Sequence, residues 1–150
     1  MAKTTVKIEG LRELDQALGQ LPKSTAKATL RKVLKEAGEP LAAQMRSLAP
    51  KFEHHLEEGI DVGTRLTRRQ RSLHKAEGGG QDFAEAFVGT SNPAGVQQEF
   101  GTGPGHKAQP FARPAWDAQK NNVLHIITHR LWSAIEQAAA RAAKKAAKGK

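Results

Sequence analysis

The chain has 150 residues, 38% of them hydrophobic, and 24 Lys and Arg against 15 acids give it a formal charge of +9 with no cysteine. This length suits one domain, and without cysteine there is no disulfide scaffold, thiolate zinc site or thiol nucleophile. Alanine supplies 24 of the apolar residues and Leu, Ile, Val and Phe together only 29 of 150, so the core of one subunit is thin and neighbouring subunits are expected to complete it.

Met1 to Thr5 carries no apolar stretch, so a secretory leader is not expected, and Val6-Lys7-Ile8-Glu9 then alternates apolar with charged residues up to Gly10, the pattern of a short strand with one wet face. Leu11, Leu14, Leu18 and Leu21 recur at helical spacing and predict a short helix stopping near Gly19 to Pro22. Ser24 is the expected N-cap of a second helix, whose stripe of Leu30, Val33, Leu34, Ala37, Leu41, Met45 and Leu48 reaches Ala49 before Pro50. Pro40 lies inside that helix, lacks the amide that would bond back to Glu36, and is expected to kink it.

The middle third reads as β structure. Ile60, Val62 and Thr64 alternate into the basic run Arg65 to Arg71, Gly78-Gly79-Gly80 forms a permissive tip, and Phe83 to Val88 returns as a strand ending at Gly89. Asn92-Pro93 predicts a turn and Val96 to Phe100 a further strand. The expected sheet therefore comprises segments near 59–66, 82–89 and 95–100. Gly101, Gly103, Pro104 and Gly105 break the chain, and Pro114 opens a last helix along Trp116, Val123, Ile127, Leu131, Ile135, Ala138 and Ala142. His125 interrupts its longest apolar run, so no membrane span is expected. The fold class that follows is α+β: a small antiparallel sheet with a long basic hairpin, backed by helices near 24–49 and 114–140 and a short N-terminal helix. Residues 1–140 read as one domain and 141–150 as a basic Ala/Lys-rich tail.

Chemistry-bearing motifs are sparse. Gly101 to Gly105 lacks the Lys-Ser/Thr pair of a phosphate loop and opens no helix, so it reads as a turn. His125 and His129 stand four apart without a third ligand, and Glu53 to Glu58 has no HExxH order, so neither predicts a metal. No serine sits in a nucleophile elbow. The expectation is a protein with no catalytic residue, no metal and no cofactor. One cluster remains, Arg65, Arg68, Arg69, Arg71 and Lys75 with His74 beside them, carried on the hairpin and free of interleaved aromatics. It suits electrostatic contact with nucleic acid and not base reading, and equally suits a solvated loop. The cations of the tail, Arg141 to Lys150, admit the same two readings.

Several segments occur in one fixed order: Val6-Lys7-Ile8-Glu9-Gly10-Leu11, Leu48-Ala49-Pro50, Gln98-Glu99-Phe100-Gly101-Thr102, and Gln109-Pro110-Phe111-Ala112-Arg113-Pro114-Ala115-Trp116. Together, over residues 6 to about 135, they resemble the tail completion, neck or head-tail joining proteins of long-tailed bacteriophages. After Pro50 that family often has Thr-Gly-x-Leu, where this chain has Lys51-Phe52-Glu53-His54-His55-Leu56. The resemblance implies a non-enzymatic α+β subunit of a ring, a hexamer by analogy with tail tubes, at the neck or upper tail of a virion assembled in the bacterial cytoplasm. The partners it implies are copies of itself, the head-tail connector, and tail tube or terminator proteins, with DNA met by non-specific electrostatics and no membrane. Under it, Glu99, Phe100, Gly101, Thr102, Pro110, Phe111, Arg113, Pro114 and Trp116 are architectural or interface residues, with Glu99 paired to Arg113 inside the subunit or reaching a neighbour. An autonomous, sequence-independent DNA-binding protein is the alternative, for which charge is the only argument.

Overall fold

The computed structural model describes residues 10–51, 55–74 and 83–149. The expected strand Val6–Glu9, Lys75 and the Gly78–Gly80 tip lie outside the described residues. Eight elements follow in order: α1 (Leu11–Gly19), α2 (Lys23–Leu48), α3 (His55–Glu58), β1 (Ile60–Gly63), α4 (Arg68–Leu73), β2 (Phe87–Thr90), α5 (Ala94–Phe100) and α6 (Ala112–Lys148).

Two long helices form the frame. α2 and α6 run antiparallel: Val33 shares a cluster with Leu131 and Ile135, Glu36 lies 4.0 Å from Arg130, and Gln119 reaches Gln44 at 3.5 Å. One apolar cluster joins Leu14 of α1 to Val33, Leu131 and Ile135. The other joins Leu41, Ala42, Met45 and Ala49 to Leu56, Ile60, Val62, Phe111 and Ala115, so the sheet and the start of α6 sit over the C-terminal half of α2. Pro40 lies within α2 without ending it, and the helix stops at Leu48 before Pro50.

β1 and β2 make a two-stranded antiparallel sheet with Ile60 opposite Thr90 and Val62 opposite Val88. Alternation places Ile60 and Val62 inward and Asp61 outward, as the sequence pattern requires. Close seating on α2 depends on Gly38, where a Cβ would stand 2.8 Å from a methyl of Val62 and 3.0 Å from one of Val88. Arg46 then ties helix to strand by donating from Nε and Nη2 to the Ile60 carbonyl at 3.0 and 2.8 Å.

The α+β class and the two-helix backing agree with the sequence, and several details differ. Val96–Phe100 is not a third strand but most of α5. Asn92 Oδ1 accepts from the Ala94 amide at 3.0 Å, and Gly95 and Glu99, four apart, are the buried residues, so capping and helical spacing override the apparent alternation. The basic run does not prolong β1: Thr67 caps α4 in a reciprocal capping box with Gln70, a Thr-x-x-Gln signature present in the sequence. β2 begins only at Phe87, not near residue 82. Pro22, not Ser24, stands at the N-cap of α2. On α6 the buried residues are Ala115, Leu131, Ile135 and Ala138, so Trp116 leaves the predicted stripe and the helix runs on through Ala142, exposed, to Lys148.

Candidate functional site

Glu99 is the most strongly built polar residue of the described chain. It is 5% exposed and stands where α5 ends against the start of α6. Its carboxylate accepts from the amides of Phe111 at 2.8 Å, Ala112 at 2.9 Å and Arg113 at 3.1 Å, and from Arg113 Nε at 2.7 Å. Arg113 Nη2 also donates to the Glu99 carbonyl at 2.9 Å. The three amides belong to the first turn of a helix, where no intrahelical acceptor exists, so a carboxylate from a distant element supplies the cap that the α6 sequence lacks. Burial is the largest single influence on this carboxyl and pushes its pKa up. The Ala112 amide, the Arg113 guanidinium and the amides of Phe111 and Arg113 together outweigh it, and the pKa falls from 4.5 to about 2.

The connecting loop is shaped to deliver this contact. Gly101 has φ +77, and a Cβ there would meet the His106 carbonyl at 2.8 Å, so the reversal after Phe100 needs glycine. Gln109 N donates to the Gln98 carbonyl at 2.7 Å and Thr102 N to that of His106 at 3.3 Å, closing the loop on itself. Pro110 is exposed, Phe111 is buried at 2% exposure in the core, and Pro114 occupies the first turn of α6. Glu99, Phe100, Gly101, Thr102, Pro110, Phe111, Arg113 and Pro114 are thus gathered in one place, with the Glu99–Arg113 pair inside the subunit.

Around this polar clamp the surface is apolar. Val96 and Phe100, on one face of α5, are 63% and 64% exposed, and Trp116 is 50% exposed. Arg113 stacks over the Phe100 ring at 4.8 Å and shares with Trp116 a groove of about 500 Å³ also lined by Leu41, Met45, Val88, Ala112 and Asp117. A second groove, about 760 Å³, continues from Leu41, Val88 and Trp116 toward Leu73, His74 and Phe87 under α4. The second groove is mixed in character, with Asp61, Arg65, Thr67 and Gln70 also on its walls. Large apolar side chains left exposed beside such grooves mark an interaction surface.

The basic excursion borders the second groove, with Arg65 on its wall. Arg65, Arg68, Arg69 and Arg71 are all exposed, the last three on α4. Gln70 Nε2 donates to the Thr90 carbonyl at 3.1 Å, and His74 Nε2 lies 3.1 Å from Glu85, so α4 is moored to β2 and its approach. Arg46, Gly38 and the Thr67–Gln70 box are not among the residues singled out by the sequence pattern. A short cap motif was legible for the last, whereas the first two act only through contacts across the fold. Among the described residues no cluster of three or more His, Cys, Asp or Glu could hold a metal, and no helix is long and apolar enough to cross a membrane. The His125 and His129 rings lie 4.3 Å apart.

Fold and surface together define a small α+β protein whose best-built polar site is an architectural clamp set beside uncovered apolar side chains. Residues 12–101 match the family described as "Bacteriophage HK97-gp10, putative tail-component", and the chain belongs to that family. The match includes Glu99, Phe100 and Gly101 and ends before the Pro110–Trp116 segment, a narrower span than the resemblance in the sequence. No curated protein and no solved structure gives a match.

Proposed function

We propose that this protein is a non-enzymatic structural subunit of a closed ring at the neck or upper tail of a phage particle, surrounding the channel through which DNA passes. The observation that carries the reading is the exposure of Val96, Phe100 and Trp116 around the Glu99–Arg113 clamp, with Trp116 lining a groove left open in the single subunit. Burying such side chains is worth roughly 25 cal/mol per Å², and a head-to-tail contact that uses them closes into a ring when the rotation permits. Six copies is the proposed number, from the symmetry of tail tubes in the resembled group. Head-tail connector and tail tube or terminator proteins are the proposed neighbours. The exposed Arg65, Arg68, Arg69 and Arg71 face the channel in this reading, offering cations that exchange counterions with passing phosphates.

The test is sedimentation of the purified chain beside Trp116→Ser and Phe100→Ser. Both side chains are at least half exposed, so the variants keep the subunit's far-UV spectrum and melting temperature while the assembled species gives way to monomer. Loss of folding in both, or assembly unchanged in both, contradicts the reading. The autonomous DNA-binding alternative predicts instead a monomer that holds duplex DNA at physiological salt and forms no ring.

A further inference from the structure

The antiparallel pairing of α2 and α6 brings the start of one helix to the end of the other, and with them two stretches of sequence that contain no acid. Residues 23–35 carry Lys23, Lys27, Arg31, Lys32 and Lys35, and residues 137–149 carry Arg141, Lys144, Lys145 and Lys148. Nine of the 24 Lys and Arg thus lie along one end, or pole, of the helix pair, where α1, with Glu13 and Asp15, packs through Leu14 and where α6 carries Glu136. Arg31, Lys32, Lys35 and the four cations of α6 are exposed. On α6 their spacing of three, four and seven puts all four on one stripe, and the buried side of that helix has ended at Ala138. The first turn of α2 opens at the same pole without an acidic residue, so the backbone adds positive potential to that of the side chains.

We propose that this pole is a docking surface for the phosphate backbone of duplex DNA, held without reading its sequence. No aromatic residue lies in either stretch, which removes base stacking, and Lys and Arg on one helical stripe contact phosphates without addressing base edges. Duplex DNA, with one charge per about 1.7 Å of axis, supplies the continuous run of anions that such a stripe of cations matches, whereas Glu36, Glu85, Glu99 and Asp117 of a second copy each lie beside a basic side chain of their own subunit. The inference adds a second DNA-facing surface to the ring reading, and its test does not require ring formation.

The test is fluorescence anisotropy of the full chain with two short duplexes of unrelated sequence, across salt from about 50 to 200 mM. Three proteins are compared: the parent, a pole variant carrying Arg141→Gln, Lys144→Gln, Lys145→Gln and Lys148→Gln, and a charge-matched hairpin variant carrying Arg65→Gln, Arg68→Gln, Arg69→Gln and Arg71→Gln. Lys27→Gln with Arg31→Gln, Lys32→Gln and Lys35→Gln forms an independent pole variant on α2. The parent binds both duplexes within about twofold. Each pole variant loses about tenfold or more in affinity, and the slope of log affinity against log salt shrinks by about 0.9 for each phosphate contact removed. The hairpin variant loses less than half as much in log affinity. Pole variants that keep the parent's affinity and slope, equal losses in pole and hairpin variants, or binding of labelled polyglutamate as tight as that of duplex each overturn the proposal.

Discussion

Replacing Glu99 by Gln removes the charge from a carboxylate that caps α6 and leaves its shape. An amide keeps one acceptor oxygen, but its NH₂ faces either the Phe111 and Ala112 amides that now meet Oε2 or the Arg113 amide and Nε that now meet Oε1. The carboxyl pKa is lowered in the folded state from 4.5 to about 2, so ionisation favours folding by roughly 3 kcal/mol, at about 1.36 kcal/mol per unit. Because the folded-state pKa is depressed, that stabilisation is fully present above about pH 4.5 and is lost as pH falls toward 2. The Arg113 side chain is 60% exposed, so most of the effect comes from the buried amides and less from the ion pair. Urea unfolding followed by circular dichroism, at one protein concentration from pH 7 to pH 2.5, gives the comparison. Glu99→Gln is expected to cost about 3 kcal/mol at pH 7, with parent and variant converging as the pH approaches 2. A variant within about 0.5 kcal/mol of the parent at pH 7, or a constant gap across the pH series, refutes the capping argument.

Gly101→Ala places a Cβ 2.8 Å from the His106 carbonyl at φ +77, and a loss of about 1–3 kcal/mol is expected in the same unfolding assay. Gly38→Ala drives a methyl to within 2.8 Å of Val62; overpacking of about 1–3 kcal/mol lowers the melting temperature by several degrees for a domain of this size. Arg46→Met keeps much of the stem and leaves the Ile60 carbonyl without its fork, and amide exchange at β1 is expected to accelerate relative to α6. Thr67→Ala deletes the capping box of α4 at a cost of about 1 kcal/mol, read as faster exchange in residues 68–73 with little change in the global melt.

Legibility in the sequence followed the range of the interactions involved. α1, α2 and α6 were readable because Leu14, Val33, Leu41, Leu131 and Ile135 repeat at helical spacing and their stripes are buried. β1 was readable because Ile60 and Val62 alternate with Asp61. α5 reads as a strand because Val96, Gln98 and Phe100 mimic strand alternation in a segment too short to separate two periods. The decisive signals were Asn92 as a local acceptor and the four-residue spacing of Gly95 and Glu99. Helical spacing from Val123 and Ile127 predicts Trp116 on the inward stripe, whereas Ala115 is the residue that fits against the α2 and β1 side chains. The Glu99–Arg113 pair was one of two readings open from sequence. Its capping role was not legible, since a carboxylate reaching the amides of residues 111, 112 and 113 depends on how the 101–110 loop returns. The convergence of the α2 and α6 cations likewise required the antiparallel pairing of helices far apart in the chain.

The central claim is that the chain is a ring-forming component of the particle at the head-tail junction, and cryo-electron microscopy of intact, DNA-filled virions tests it most directly. The account predicts a closed ring of six copies at the neck or upper tail, with the Val96–Phe100–Trp116 surface buried between adjacent subunits and cationic side chains toward the DNA. A purified particle that lacks the chain, or contains it only as isolated subunits with that apolar surface open to solvent, contradicts it.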